Sequence, residues 1–393
     1  MVGSLFCKGE IMDKIKKGIR FSPSLCVTHS CNLDCIYCYQ KHDGNNRMSF
    51  EIACKSIDWI FSNIPDNMTG IEITFIGGEP LIEFELIKDI YEYTHEKYPN
   101  EDYIFYATTN GTLLNDSMKE WFLEHRKSFV LGLSLDGLPE THNHNRSNSY
   151  DKIDIDFFKY TWPDQGVKMT ISEYTLKNFA ENVIHIHSLG FKEINGVNLF
   201  EGEFDWSSEK FVQRIIPELR KLVDFYVEHD DLMVDQMLAR QIDICEEKNR
   251  PKRKWCGIGT GAIFFDTDGT RMPCPFVTPM TFNKKEIEVI KQTDFDDHSA
   301  FVDDGCFNNC YIYPICPMCP GANYLVKKSF KKRDKSKCRL QKLITLYAAD
   351  LQARRLIKNP KCIPQNRVYN TISAIEKIKE NILPEFKEYK DIM

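Results

Sequence analysis

Cys31-Asn32-Leu33-Asp34-Cys35-Ile36-Tyr37-Cys38 places three cysteines at a CxxxCxxC spacing, just after the apolar run Leu25-Cys26-Val27. Three thiols this close can grip three irons of a four-iron cube and leave the fourth iron open to a chelating cofactor or a substrate. A zinc knuckle is the competing reading. It needs a fourth ligand, and His29 and His42 are the nearest candidates. A thioredoxin-type CxxC would need no third cysteine.

Outward from this loop, strands alternate with helices. Phe21 to Val27 reads as a buried strand. Met48 to Ile64 carries Ile52, Ile57, Ile60 and Phe61 on one helical face, with Ser49 as its N-cap. Gly70 to Ile76, Tyr103 to Thr108, Phe129 to Leu135, Val167 to Ile171 and Glu193 to Leu199 read as strands. Phe84 to Tyr98, Asn115 to Arg126 and Leu176 to Leu189 read as helices among them. Alternation with short loops builds a parallel sheet with right-handed crossovers. About six such units precede residue 225, too few for a closed eight-fold barrel. The expected fold is therefore α/β, a partial (β/α)6 TIM-type barrel. Sites in parallel α/β folds gather at the C-terminal strand ends. There the cysteine loop would meet Gly77-Gly78-Glu79-Pro80, the Asn110-Gly111 turn and the Ser134-Leu135-Asp136-Gly137 turn. Paired glycines let backbone approach a ligand closely, and Glu79 can accept from an ammonium group.

The 393 residues are 42% hydrophobic and 27% charged, with a net charge of −6. This suits a chain of about two domains and gives no global pull toward nucleic acid or an anionic membrane. The basic run Lys327 to Lys337 is read as a solvated loop. No apolar stretch is long enough to span a membrane, and Met1 to Arg20 lacks a signal-peptide pattern, so a cytoplasmic location is expected. In a reducing compartment, fifteen cysteines point to metal or cluster ligation rather than to disulfides. Cys7, Cys26, Cys54, Cys245 and Cys362 are scattered and read mostly as small packing residues, Cys26 within a strand.

Trp206 to Glu247 reads as mostly helical. From Lys254 Gly, Pro and Cys become dense, and Ile263-Phe264-Phe265 followed by Asp266-Thr267-Asp268-Gly269 suggests a hairpin. The spacing is Cys256, then Gly269-x4-Cys274, then Cys306-x3-Cys310-x5-Cys316-x2-Cys319, then Cys338. A small unit held by metal fits this better than one held by a large core. A zinc ribbon could use Cys306 to Cys319 but leaves Cys256, Cys274 and Cys338 unexplained. Residues 339–393 return to helix, with breaks at Pro360 and Pro384. Asp266, Asp268 and Tyr324 are polar neighbours of these motifs with no assigned role.

Together, Cys31-x3-Cys35-x-Tyr37-Cys38 and Gly77 to Pro80 resemble the radical S-adenosylmethionine (radical SAM) superfamily. The resemblance implies that SAM chelates the open iron. Gly77, Gly78, Glu79 and Pro80 would contact its amino group, and Tyr37 would lie by the adenine. A Ser-x-Asp-Gly motif with an arginine twelve residues on is present as Ser134, Asp136 and Arg146. Ser134 and Arg146 would hold the carboxylate or ribose. The later cysteines are similar to the SPASM extension, which carries two auxiliary [4Fe–4S] clusters. That implies Cys256, Cys274 and Cys319 for the first and Cys306, Cys310, Cys316 and Cys338 for the second. The middle spacing departs from the family's Cx2Cx5Cx3C by one residue at each end. Family members carry an eighth cysteine soon after the first. Gly257 to Phe265 has none, so the first auxiliary cluster would have an open iron unless Cys245 fills it.

The expected organisation is a lead-in over 1–20, a radical SAM partial barrel over 21–225, a helical bridge over 226–255, a small SPASM domain over 256–338 and a helical tail over 339–393. The resemblance implies SAM and three [4Fe–4S] clusters as cofactors, a flavodoxin- or ferredoxin-type reductant and a 5′-deoxyadenosyl radical. In the sulfatase-maturing branch an Asp follows the Gly-x4-Cys cysteine; Pro275 stands there in this chain. The expected activity is therefore maturation of a ribosomal precursor peptide by an intramolecular crosslink, a thioether before a carbon–carbon bond. Formylglycine formation and modification of RNA or a cofactor are the alternatives. Only thirty residues precede Cys31, so leader recognition is expected from a separate protein or the C-terminal helices, or is absent.

Overall fold

A computed structural model describes residues 20–40, 46–199, 206, 208–249 and 252–389. His42 and the lead-in before Arg20 lie outside the described residues. The strands are β1 (Arg20–Phe21), β2 (Ser24–Thr28), β3 (Gly70–Gly77), β4 (Tyr103–Thr109), β5 (Phe129–Leu133), β6 (Val167–Ile171), β7 (Ile194–Leu199), β8 (Phe264–Phe265) and β9 (Arg271–Met272). The described chain divides into two compact units. One lies within 1–135, 142–168 and 256–297, the other within 136–141, 169–255 and 298–393.

In the first unit the strand order is β5-β4-β3-β2-β8-β9, and β1 also pairs with β3. Strands β2 to β5 are mutually parallel, so the α/β expectation with a parallel sheet holds. Helix α1 (Phe50–Ser62) starts where Ser49 accepts from Ile52 N, and it buries Ala53, Ile57 and Ile60. Helix α2 (Phe84–Lys97) buries Ile87, Ile90 and Tyr91. Helix α3 (Asp116–His125) is capped by Asn115, which accepts from Met118 N. One sheet face is aromatic. The rings of Phe75, Phe105 and Phe129 stack with centroids 5.4 to 5.8 Å apart, and Tyr91, Trp121 and Phe122 pack on them. Each such pair adds about 0.5–1.5 kcal/mol beyond its buried area. Side chains alternate along a strand, so Glu72, Thr74, Tyr106 and Thr108 fall on the opposite face. That face is polar and half-buried.

The hairpin expected at 263–269 forms, with Gly269 at a φ of 81° and its N–H donating to Asp266 O at 2.8 Å. Its strand β8 also runs parallel to β2, with Ser24 opposite Phe264 and Leu25 opposite Phe265. An unpaired β2 edge would leave backbone groups unsatisfied, and a strand some 240 residues away covers it.

The second unit is mainly helical. Helix α6 (Phe179–Ser188) and helix α7 (Glu209–Glu228) precede helices α11 (Cys338–Lys358) and α12 (Gln365–Ile382), with the shorter Asp304–Asn309 (α9) and Pro320–Lys327 (α10) between them. The first unit also holds the short helices Ile155–Thr161 (α5) and Lys284–Lys291 (α8), and Pro139–Asn145 (α4) spans a boundary of the two units. Phe211, Ile215, Leu219 and Leu222 of α7 and Leu343, Leu346 and Leu351 of α11 are buried. Residues 206–247 are mostly helical, as expected, but the helix is interrupted: the α-helix stops at Glu228, and a 3-10 helix covers Ile242–Glu246. Between them buried Asp235 accepts from Met237 N and Leu238 N, turning the backbone out of helical bonding.

The tail docks on this 3-10 helix. Arg367 donates to both carboxylate oxygens of Asp243. Glu246 accepts from Lys377, Ser373 and Tyr311. Burial opposes ionisation of Glu246, but the Lys377, Tyr311 and Ser373 bonds outweigh it and hold the carboxyl at about 2. A depressed carboxyl stabilises the fold above its unfolded value, near pH 4.5, and loses that contribution as pH falls toward 2. Glu246→Gln is therefore expected to cost about 2–3 kcal/mol at pH 7 in urea unfolding. The difference from the parent should shrink below pH 4.5; an equal gap at pH 3 and pH 7 would contradict it.

Candidate active site

The cysteine loop leaves β2 at Thr28 and is fastened from several sides. Ile36 N donates to Asn145 O at 3.0 Å, and Cys38 N to Cys35 O at 2.9 Å. Asp34 N donates to Ser147 Oγ at 2.9 Å. Asn110 Nδ2 donates to Asn32 Oδ1 at 2.9 Å, and Asn32 Nδ2 to Thr112 Oγ1 at 2.8 Å. These fastenings run through backbone, Asn32 and Ser147, not through sulfur. Cys31 and Cys35 are half-buried and Cys38 is exposed. Although Cys38 is exposed as a residue, desolvation of the sulfurs themselves raises the Cys31 and Cys38 thiols, and a backbone bond from Gln40 and the charge of Arg146 draw Cys38 back down.

Gly77 and Gly78 have a packing role that spacing does not reveal. A Cβ on Gly77 would lie 2.3 Å from Thr28 O, and one on Gly78 would lie 2.3 Å from Ser30 O and 2.8 Å from Cys31 Cβ. Gly78 N donates to Thr28 O and Glu79 N to Ser30 O. The paired glycines thus let the end of β3 press against the root of the cysteine loop.

Glu79 is 1% exposed. Its carboxylate accepts from Leu81 N, Thr109 Oγ1 and Asn110 N at 2.8 to 3.1 Å. Burial pushes this carboxyl up to about 7, against those donors and the charge of Arg146. A carboxylate has about four lone-pair directions, so three protein donors leave room for one more. Pro80 opens the 3-10 turn Pro80–Glu83, which Glu79 caps.

The Arg146 guanidinium lies 5.2 Å from the centre of the Tyr37 ring and is 7% exposed. It is therefore not the surface arginine that a polar loop suggests. Buried Ser134 follows β5, donates its N–H to Thr109 O and forms a parallel bridge with Lys168. Cys31, Cys35, Cys38, Tyr37, Gly77, Gly78, Glu79, Pro80, Ser134 and Arg146 all belong to one compact unit. In the other, Asp136 accepts from Thr170 N and turns the chain after Ser134.

One pair escaped sequence reading. His29 Nε2 sits 2.6 Å from Asp266 Oδ1, and buried Cys26 is close enough for all three ligand atoms to lie within 4.8 Å of one another. Nothing in the sequence signals a contact spanning more than two hundred residues. The pair satisfies itself, and Cys26 Sγ faces Thr28 O at 3.5 Å. Burial, reinforced by Asp266, pushes the Cys26 thiol far up, as suits a packing cysteine.

In the same unit Cys256 is exposed and Cys274 half-buried. Gly259 N donates to both Ala262 O and Pro273 O, tying the loop after Cys256 to the segment before Cys274.

In the other unit, Cys306 lies in α9, Cys319 caps α10 by accepting from Ala322 N, and Cys338 opens α11. Burial pushes the Cys338 thiol up to about 11, and Cys316, Cys306 and Cys310 add to the shift. The charges of Cys316, Cys306 and Cys310 thus reach Cys338, and a cationic group bound among them would relieve that repulsion. Four thiols are the donor set that a four-iron cluster takes. Arg333, within the run expected to be solvated, is 9% exposed and stacks 4.2 Å from the Tyr313 ring. The exposed lysines of that run are solvated as expected; this one arginine turns inward.

Residues 25–215 match the family model described as the Radical SAM superfamily. A cysteine-type anaerobic sulfatase-maturating enzyme of Clostridium perfringens is 25% identical over 322 residues, 74% of this chain and 85% of that enzyme. The fold is similar to anSMEcpe with bound AdoMet, at a TM-score of 0.66 and 19% identity over 91% of this chain and 98% of the other. It is also similar to Streptococcus suis SuiB bound to precursor peptide SuiA, at a TM-score of 0.56 and 15% identity over 83% and 79%. No described helix is long and apolar enough to cross a membrane. The three-thiol loop, the β3 turn that braces it and the Arg146–Tyr37 stack all fall within the matched residues, so residues 25–215 carry a radical SAM domain, of a superfamily whose enzymes use SAM and a [4Fe–4S] cluster.

Proposed function

We propose that this chain is a maturase that crosslinks a precursor peptide, with a thioether between a cysteine sulfur and a carbon as the bond formed. One observation carries the catalytic part. The cysteine loop is fastened through backbone, Asn32 and Ser147, so ligation by Cys31, Cys35 and Cys38 would not dismantle it. When bound there, SAM and the cluster supply a radical able to take hydrogen from an unactivated carbon. Arg146 and Ser134 would hold the SAM carboxylate or ribose, Tyr37 the adenine, and Glu79 its ammonium group through the remaining lone pair.

The bond type rests on the C-terminal cysteines. Cys256 and Cys274 share one unit, and with no further cysteine in Gly257 to Phe265 an auxiliary cluster held there would leave an iron open to a substrate thiolate. Pro275 after Cys274 disfavours formylglycine formation. Cys306, Cys310, Cys316 and Cys338 would make a closed four-thiol site. A flavodoxin- or ferredoxin-type protein would supply the electron.

Anaerobically purified and reconstituted protein should hold about twelve irons per chain. A value near four, or zinc instead, would sink the three-cluster reading. With a cysteine-containing precursor peptide, each turnover should remove two hydrogens and one alkylatable thiol. Loss of two hydrogens with every thiol still alkylatable would select the carbon–carbon bond instead. Salt-sensitive RNA binding would favour nucleic-acid modification.

A further inference from the structure

Two buried arginines face the Cys306, Cys310, Cys316 and Cys338 site. Arg240 is 9% exposed and held by three acceptors, Met237 O at 3.1 Å, Ile315 O at 3.2 Å and Gln341 Oε1. Ile315 directly precedes Cys316. Burial lowers the Arg240 guanidinium to about 10, and the negative charge that most favours it is the Cys316 sulfur, ahead of Asp235 and Cys245. It is therefore still a cation at neutral pH. Arg333 is held by a different contact. Its N–H donates to Asp303 Oδ2, and Asp303 Oδ1 caps the helix that carries Cys306. Its charge acts on the Cys306 and Cys316 thiols. Among the described ion pairs neither arginine meets a carboxylate within 4.0 Å.

One atom of this arrangement lacks a partner. Arg333 Nε is buried and has no hydrogen-bond acceptor. A buried N–H without an acceptor is costly, and natural proteins seldom leave one. The nearby thiols that its charge influences are those expected to carry a cluster, and the sulfides of a cluster accept hydrogen bonds.

We propose that Arg333 and Arg240 are positioning residues that raise the reduction potential of the Cys306/Cys310/Cys316/Cys338 centre, with Arg333 Nε–H as a donor to cluster sulfur. The inference rests on the reading that those four thiols hold an iron–sulfur cluster. Reduction adds one negative charge to a site of low dielectric, and two fixed cations stabilise the reduced form more than the oxidised one. This would make the centre an electron acceptor.

The test is an EPR-monitored redox titration of the reconstituted full-length protein, with the signal lost in Cys310→Ala assigned to this centre. Arg333→Gln should move the reduced-to-oxidised ratio of that signal at least tenfold toward oxidised at a fixed potential, a midpoint lower by about 59 mV for one electron. Arg333→Lys keeps the charge without the guanidinium fork and should move it less. In parent protein labelled with 15N-arginine, pulsed EPR of the same signal should show a weak nitrogen coupling. This measurement decides the matter if the variants do not fold. An unchanged midpoint in Arg333→Gln, or no nitrogen coupling in the labelled parent, overturns the inference while leaving the cluster in place. If Cys310→Ala removes neither iron nor any signal, the cluster reading fails and the inference with it.

Discussion

Alanine at Cys31, Cys35 and Cys38 together is expected to leave the fold intact, remove about four irons per chain and reduce 5′-deoxyadenosine formation to background. The fold should survive because none of the three thiols lies in the core: two are half-buried and one is exposed. The loop keeps its Ile36–Asn145, Asp34–Ser147 and Asn32–Asn110 bonds, which do not involve sulfur. Activity should not survive, since cofactor chemistry needs the metal that these thiols would hold. Cys26→Ala is the control. That thiol sits fully buried within β2, so its loss should cost stability but no iron. Persistent 5′-deoxyadenosine in the triple variant would refute the assignment.

Gly78→Ala should be nearly as damaging, by a different route. The added Cβ would lie 2.3 Å from Ser30 O, 2.6 Å from Ser30 C and 2.8 Å from Cys31 Cβ. Two of these atoms are backbone, so no rotamer change relieves the contact. Either the end of β3 or the cysteine loop must move, which strains the Gly78–Thr28 and Glu79–Ser30 bonds. The expected cost is about 3 kcal/mol, together with loss of the iron that the loop would hold. Gly261→Ala offers a comparison. Its closest contact is the mobile end of Met68 at 3.1 Å, and it should cost less than about 1 kcal/mol. Urea unfolding and iron analysis of both variants separate the two. Normal iron content and stability in Gly78→Ala would show that the loop and β3 are not coupled as described.

The two variants bear on how the site is built. The cysteines carry the chemistry, while the glycines set where the cysteines stand. Glu79 extends the same bracing, since two of its three protein donors, Thr109 Oγ1 and Asn110 N, join the end of β3 to the end of β4. A group read from sequence as a SAM contact is thus also a structural tie, and its one remaining lone pair is what a ligand could use.

By itself the sequence determined the local elements and the chemistry. Ser49 and Asn115 marked helix starts because a side-chain oxygen satisfies an N–H three residues on. Alternating apolar strands announced a parallel sheet, and close cysteine spacing announced a cluster loop, since both patterns lie within a few residues. Tertiary structure alone decided what crosses long stretches of chain. It paired β8 with β2, turned Arg333 inward beside Cys306 and Cys316, and set Gly77 and Gly78 against Thr28 and Ser30. Such contacts depend on which unsatisfied edge, buried charge or facing backbone the rest of the fold presents. Residue spacing does not encode that.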